Sequence, residues 1–190
     1  DALTHRTPVN VGVVGYGQGG ATLHCPLIES TPGLRLAGIA VSSEGGVERA
    51  RAVYPGLPIT TSVTDLLSVR DLDLVVITSP NQTHAPIAGQ ALDAGFDVVV
   101  DKPLATSSRE AHELERHANA AGRHLLTFVN RRWDGDFQAM KDLTDANVLG
   151  APVRLESRWE RYRPIAPSGT WKDDPAAGGG LLWNLLPHLV

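Results

Sequence analysis

The sequence predicts a doubly wound parallel α/β sheet followed by the start of a second, antiparallel α+β sheet. Three observations carry this. Short β-branched runs alternate with helical segments from Val9 to Val129, the spacing of βαβ units. The unusual polar and glycine-rich segments all fall where those runs end. Past Gly150-Ala151-Pro152 the apolar period changes to two, as in an antiparallel strand with one wet face.

The first element is Val9-Asn10-Val11-Gly12-Val13-Val14, an apolar run that feeds directly into Gly15-Tyr16-Gly17-Gln18-Gly19-Gly20. A helical segment from Ala21 to Glu29 follows. This is G-x-G-x-x-G in strand–turn–helix context, the dinucleotide-binding fingerprint of Rossmann sheets. Gly15 permits the tight turn, Gly17 lets a pyrophosphate approach the backbone, and Gly20 lets the helix pack on the strand. Free N–H groups and the dipole at the helix start favour phosphate.

Leu34 to Val41 reads as the second strand, ending at Ser42-Ser43. An acidic residue here would accept from the ribose 2′-hydroxyl of NAD. Serine hydroxyls instead donate to a 2′-phosphate, so the reading is NADP, with NAD possible. Arg49 and Arg51 on the next helix offer countercharge, or simply form a solvated face.

Leu57 to Thr60 is a short third strand, and Thr64 to Ser68 a helical turn capped by Thr64. Leu72 to Thr78 is a strand buried on both faces. It ends in Ser79-Pro80-Asn81-Gln82-Thr83-His84, before a helix from Ala85 to Ala94. Phe96 to Val100 is the next strand, closed by Asp101-Lys102-Pro103. Ser107 or Ser108 caps a helix to about Ala121, with Glu110 completing a capping box from Ser107. His124 to Val129 is the sixth strand, ending in Asn130-Arg131-Arg132, and a helix spans Asp134 to Ala146. Val153 to Tyr162 alternates as a strand, and a polar Pro/Gly loop runs from Arg163 to Gly178. The domain boundary is placed at 130/131: residues 1–130 bind dinucleotide and 131–190 begin a second domain.

Ligands of doubly wound sheets bind outside the carboxyl ends of the strands. The candidate cofactor residues gather there: Gly15, Tyr16, Gly17, Gln18, Gly19, Gly20, Ser42, Ser43, Ser79, Pro80, Asn81, His84, Asp101, Lys102, Asn130 and Arg131. A capped helix start is the alternative for Asn81 and His84, and a surface ion pair that for Arg131.

Bulk properties narrow the class. With 42% hydrophobic residues the chain can build a core. A net charge of -4 gives no reason to expect nucleic acid or an anionic membrane surface. The single cysteine, Cys25, offers no internal disulfide and suits a reducing compartment. No run approaches the roughly 18 apolar residues of a membrane span, and residues Asp1 to Pro8 lack a signal peptide's pattern. The expectation is a cytoplasmic protein. His24, His112, His117 and His124 lack metal-ligand spacing, so no metal is expected.

With these motifs the chain resembles the glucose–fructose oxidoreductase / inositol dehydrogenase / rhizopine-catabolism (Gfo/Idh/MocA) family from Val9 to Val190. The markers are the glycine fingerprint, Ser79 to His84, Asp101-Lys102-Pro103 in place of the family's Glu-Lys-Pro, and the glycine-rich approach to Asn184-x-x-x-His188. Asn130 to Asp134, Glu156 to Pro164 and the double serine look like the NADP-preferring scyllo-inositol dehydrogenase branch. The resemblance implies a longer protein, truncated here early in its second domain, that is homo-oligomeric when complete. It implies hydride transfer between nicotinamide and a cyclic polyol or sugar.

That chemistry needs a proton acceptor and a positive group beside the developing oxyanion. By resemblance Lys102 is the cation and contacts cofactor and substrate, His188 is the catalytic histidine, and Asn184 stands at the orienting position. Trp171 is a further substrate candidate, or packs in its loop. The family has Asp at 184 and commonly Gly at 186, where this chain has Asn184 and Leu186. Asparagine cannot take a proton. These departures favour the alternative of a non-catalytic NAD(P)-binding regulator, or an inactive or engineered fragment.

Overall fold

The computed structural model describes residues 8–160, 162, 164 and 169–188. The chain divides between Thr127 and Phe128 into two compact units. Six strands form the sheet: β1 (Val9–Val14), β2 (Leu34–Ala40), β3 (Ile59–Thr60), β4 (Leu74–Ile77), β5 (Asp97–Asp101) and β6 (Leu125–Phe128). Their order is β3-β2-β1-β4-β5-β6, and the β1–β2, β1–β4, β2–β3 and β4–β5 pairs are parallel. Connections leave β1 in one direction and β4 in the other, so the strand order reverses between them. That is the switch point at which such sheets open a crevice.

Both sheet faces are covered. Val11, Val13, Ile39 and Val76 face Cys25 and Ile28 of α1 (Cys25–Ser30) and Val47 and Ala50 of α2 (Glu44–Val53). The alternate positions Val14, Ala40, Val75, Ile77, Val98 and Val100 face Leu66 of α3 (Val63–Leu67), Ala88 and Leu92 of α4 (His84–Asp93), and Leu114 and Ala118 of α5 (Ser108–Ala121). Strands that feed both faces cannot alternate apolar with polar, which is why they read as continuous apolar runs. Truncating Leu92, 1% exposed, to Ala would cost about 2–5 kcal/mol.

Helix starts are set by serines. Ser43, Ser62 and Ser107 hold extended backbone and accept from the N–H groups of Gly46, Asp65 and Glu110, each at 3.2 Å. The α3 cap is therefore Ser62 and not Thr64, which lies inside the helix. The capping box is also altered: the Glu110 carboxylate accepts from the N–H and hydroxyl of Thr106 and leaves Ser107's own N–H aside. The third strand shrinks to Ile59–Thr60.

In the second unit α6 (Gly135–Asp145) follows a 3-10 turn at Asn130–Trp133. The strand expected over Val153 to Tyr162 does not form among the described residues; 161 and 163 lie outside them. An antiparallel strand needs a hydrogen-bonding neighbour, and no described strand pairs with this segment. Val153 and Leu155 stay in solvent, 98% and 69% exposed.

Candidate functional site

The glycine loop leaves β1 with Gly15 at φ +106°, a conformation that side chains rarely adopt. Its N–H donates to Ala40 O at 2.8 Å, and its carbonyl accepts from the Thr78 hydroxyl at 2.9 Å. A Cβ on Gly20 would lie 2.0 Å from Gly15 O and 2.9 Å from Thr78 Oγ1, so only glycine lets helix and strand approach this closely. A Cβ on Gly17 would meet nothing within 4 Å. Gly15 and Gly20 are thus glycine for the fold, whereas nothing in the protein requires Gly17 to be one. An open backbone at Gly17 suits an incoming phosphate.

Tyr16 turns its ring inward, edge-on to Tyr54 at 6.2 Å, which leaves only its backbone for the loop. Gln18 is exposed, and its carbonyl accepts from the Thr22 hydroxyl. Gly20–His24 form a π-helical turn, closed by the Cys25 N–H on Gly20 O, before α1 begins. Ser42 and Ser43 are exposed at the end of β2. The Arg49 guanidinium folds back along α2, with Nη1 3.8 Å from the Cβ position of Gly45.

At the end of β4 the Ser79 and Thr83 hydroxyls share a 2.7 Å hydrogen bond, and Pro80 leads into a 3-10 turn at Asn81–Thr83. Asn81 is buried. His84, expected beside the cofactor, is 1% exposed and lies beneath the site. Its Nδ1 is 2.7 Å from Pro103 O and its Nε2 2.8 Å from Ser79 O. The ring joins the β4 turn to the Lys-Pro turn and has no nitrogen left for a ligand.

Asp101, half-buried at the end of β5, bridges three elements. Its Oδ1 accepts from the Lys102 N–H at 2.8 Å. Its Oδ2 lies 3.5 Å from Nε2 of buried His24 and 3.4 Å from the Cβ position of Gly19. Burial alone would raise the carboxyl's pKa; the neighbouring His24 imidazole, with the Lys102 N–H and charge, outweighs it and holds it below the usual carboxylate range. Lys102 follows, half-buried, with a cis bond to Pro103. Sequence reasoning missed His24 and Thr78. Thr78 is the first polar residue after a buried run, a usable signal; nothing in the spacing announces that a π turn aims His24 at Asp101.

The second unit has its own pocket, a cavity of about 540 Å³ lined in part by Arg131, Asp134, Trp159 and His188. Arg131 donates to Asp134 Oδ2 at 2.6 Å and stacks 4.1 Å above the Trp159 ring. His188 lies 6.0 Å from the same ring. Asn130 opens the 3-10 turn that carries Arg131. Trp171, on a 3-10 turn at Trp171–Asp173, and Asn184 lie off this lining. Asp134 and Trp159 are the members of this group that sequence reasoning did not name as site residues.

Asn184 and His188 fall in two successive helical segments of different type. Helix α7 (Leu181–Leu185) ends, and Leu186–His188 form a 3-10 turn. Pro187 has no N–H to continue the α ladder and its ring crowds the preceding turn. Among the described residues no group of three or more His, Cys, Asp or Glu could hold a metal, and no helix is long and apolar enough to cross a membrane.

Strand order, switch point and the open glycine loop are those of a dinucleotide-binding α/β protein. Residues 9–129 match the oxidoreductase family with an NAD-binding Rossmann fold, and residues 137–190 match the GFO/IDH/MocA C-terminal domain. The chain belongs to the GFO/IDH/MocA oxidoreductase family. It is 40% identical over 182 residues to the oxidoreductase YdgJ of Escherichia coli (strain K12), covering 96% of this chain and 51% of that protein. It is 28% identical to the scyllo-inositol 2-dehydrogenase (NADP(+)) IolW of Bacillus subtilis (strain 168), covering 96% and 50%. Among solved structures, the YPO2259 oxidoreductase of Yersinia pestis superposes with a TM-score of 0.85 at 41% identity, covering 96% of this chain and 50% of that one. The NAD-binding protein of Listeria innocua gives 0.86 at 31%, covering 95% and 52%. The chain spans about half the length of the relatives it matches.

Proposed function

We propose that the chain is the nucleotide-gripping part of an NADP-preferring oxidoreductase that moves hydride between nicotinamide and a hydroxyl or carbonyl carbon of a cyclic polyol or sugar. The observation that carries this is Gly17: its backbone opens onto free space at the switch-point rim, in a loop whose other two fingerprint glycines are sterically required. The exposed Ser42 and Ser43 and the backward-folded Arg49 support NADP, as does the relative named as NADP-dependent.

In this reading the bound dinucleotide supplies or accepts the hydride. Lys102 presents an ammonium to the oxygen that gains charge as the C–H bond breaks, and His188 takes or returns the hydroxyl proton. Asn184 orients the hydroxyl without exchanging a proton. The same reading places the protein in the reducing cytoplasm, consistent with the lone Cys25, and assembles the whole protein into homo-oligomers through its second unit, where Val153 and Leu155 are exposed.

A non-catalytic nucleotide-binding regulator is the second reading, favoured by Asn184 and Leu186. Titration with NADPH and NADH, followed by turnover of a polyol panel by the whole protein, separates the two. Tight NADPH binding with turnover that rises in the Asn184→Asp, Leu186→Gly variant supports the enzyme. Binding without turnover in either form supports the regulator, and no binding overturns both.

A further inference from the structure

We infer that His24 and Asp101 form a positioning pair that couples the glycine loop to Lys102. The geometry joins them in series. Asp101 Oδ1 accepts from the Lys102 N–H at 2.8 Å, while Oδ2 faces His24 at 3.5 Å and lies 3.4 Å from where a Cβ on Gly19 would stand. One carboxylate therefore binds the backbone of the lysine and sits beside both the loop and the helix behind it.

The helix is π-distorted where this contact is made. A regular α turn would bond the Cys25 N–H to Ala21 O; here it reaches one residue further back, to Gly20 O. A π turn adds a residue to the turn and re-aims the side chains around it; such turns are rare and are frequent at functional sites. His24 closes the turn at 3% exposure, with its imidazole on Asp101. A buried imidazole and a buried carboxylate are each costly alone and tolerable together. Ordinary packing would have placed an apolar residue at position 24, beside Cys25 and Ile28.

The consequence is mechanical. Phosphate gripped by the loop presses on the element that carries His24, and the pair holds Lys102 at a fixed offset from that grip. His24 touches no reacting atom; it is a positioning residue. This role rests on the proposed nucleotide site.

The test is the rate at which trace acetic anhydride acetylates Lys102, read by mass spectrometry with and without saturating NADPH, beside a thermal melt and an NADPH titration of the same chain. The expected result is about tenfold protection in the parent chain, falling below about threefold in His24→Leu, with His24→Gln, which keeps an N–H donor, restoring it. A merely structural role lowers the melting temperature and leaves protection intact. Should His24→Leu fail to fold, Asp101→Asn replaces it, with the same loss expected. Full protection in a folded His24→Leu or Asp101→Asn variant overturns the pair alone. No protection in the parent chain overturns the nucleotide site, and the pair falls with it.

Discussion

The Thr78 hydroxyl donates to the Gly15 carbonyl at 2.9 Å, locking the end of β4 to the turn that leaves β1. These two strands flank the switch point, and the side-chain bond adds to the backbone bond from the Thr78 N–H to Val14 O, 2.8 Å, in holding the turn. Thr78→Val keeps the shape and removes the donor. It is expected to cost about 1–2 kcal/mol in a urea melt and to weaken NADPH binding, read by nicotinamide fluorescence. Unchanged affinity would show that the loop holds its shape without Thr78.

The two later fingerprint glycines give opposite outcomes when changed to alanine. Gly20→Ala places Cβ 2.0 Å from Gly15 O, so the variant should be destabilised by several kcal/mol or fail to fold. Gly17→Ala meets no protein atom and should melt within about 1 kcal/mol of the parent. It should nonetheless lose NADPH binding by about tenfold or more, because the methyl group occupies the phosphate approach. A Gly17→Ala variant that binds normally would refute the assignment of the loop.

Acid sensitivity should track Asp101. Its folded pKa lies below the ordinary value of 3.8, so the carboxylate stabilises the fold fully above that value. The contribution fades as the pH falls through the lower folded value. Asp101→Asn should therefore be about 1–3 kcal/mol less stable than the parent at pH 7, with the gap closing below about pH 3.8. Paired denaturant melts from pH 7 to 3 check this; a constant gap would mean that the charge is not involved.

Arg49 should discriminate between cofactors. Arg49→Gln is expected to weaken NADPH about three- to tenfold while leaving NADH within about twofold, and to flatten the salt dependence of NADPH binding. Equal loss for both nucleotides would place the guanidinium away from the 2′-phosphate.

The first unit was largely legible because its signals are local. Apolar runs bounded by glycines, and Ser107 ahead of a helical segment, name strands and a cap by residue type alone, whereas Ser43, which caps α2, reads in the sequence only as a phosphate ligand. Signals between neighbouring choices were harder. Ser62 and Thr64 both suit a cap, and only the backbone, extended at Ser62, decides between them. Contacts distant in sequence were not legible: His24 meets Asp101 only because a π turn re-aims it, and His84 faces the Pro103 carbonyl 19 residues on. The alternation from Val153 has a strand's period, but a strand is defined by its neighbour, and the described residues provide none. Pro187 was visible in the sequence and outweighs the four-residue spacing of Asn184 and His188.

Cys25 sits wholly inside the first unit, and burial, with the Glu29 charge, pushes its thiol up to about 12. As the sole sulfhydryl of the chain it is silent toward alkylating dyes while the core is intact. A cysteine introduced at the exposed Ser42 would then be the only reactive handle, so a fluorophore could be mounted at the crevice without first stripping the native thiol. Dye uptake by Cys25 itself would report the opening of the core.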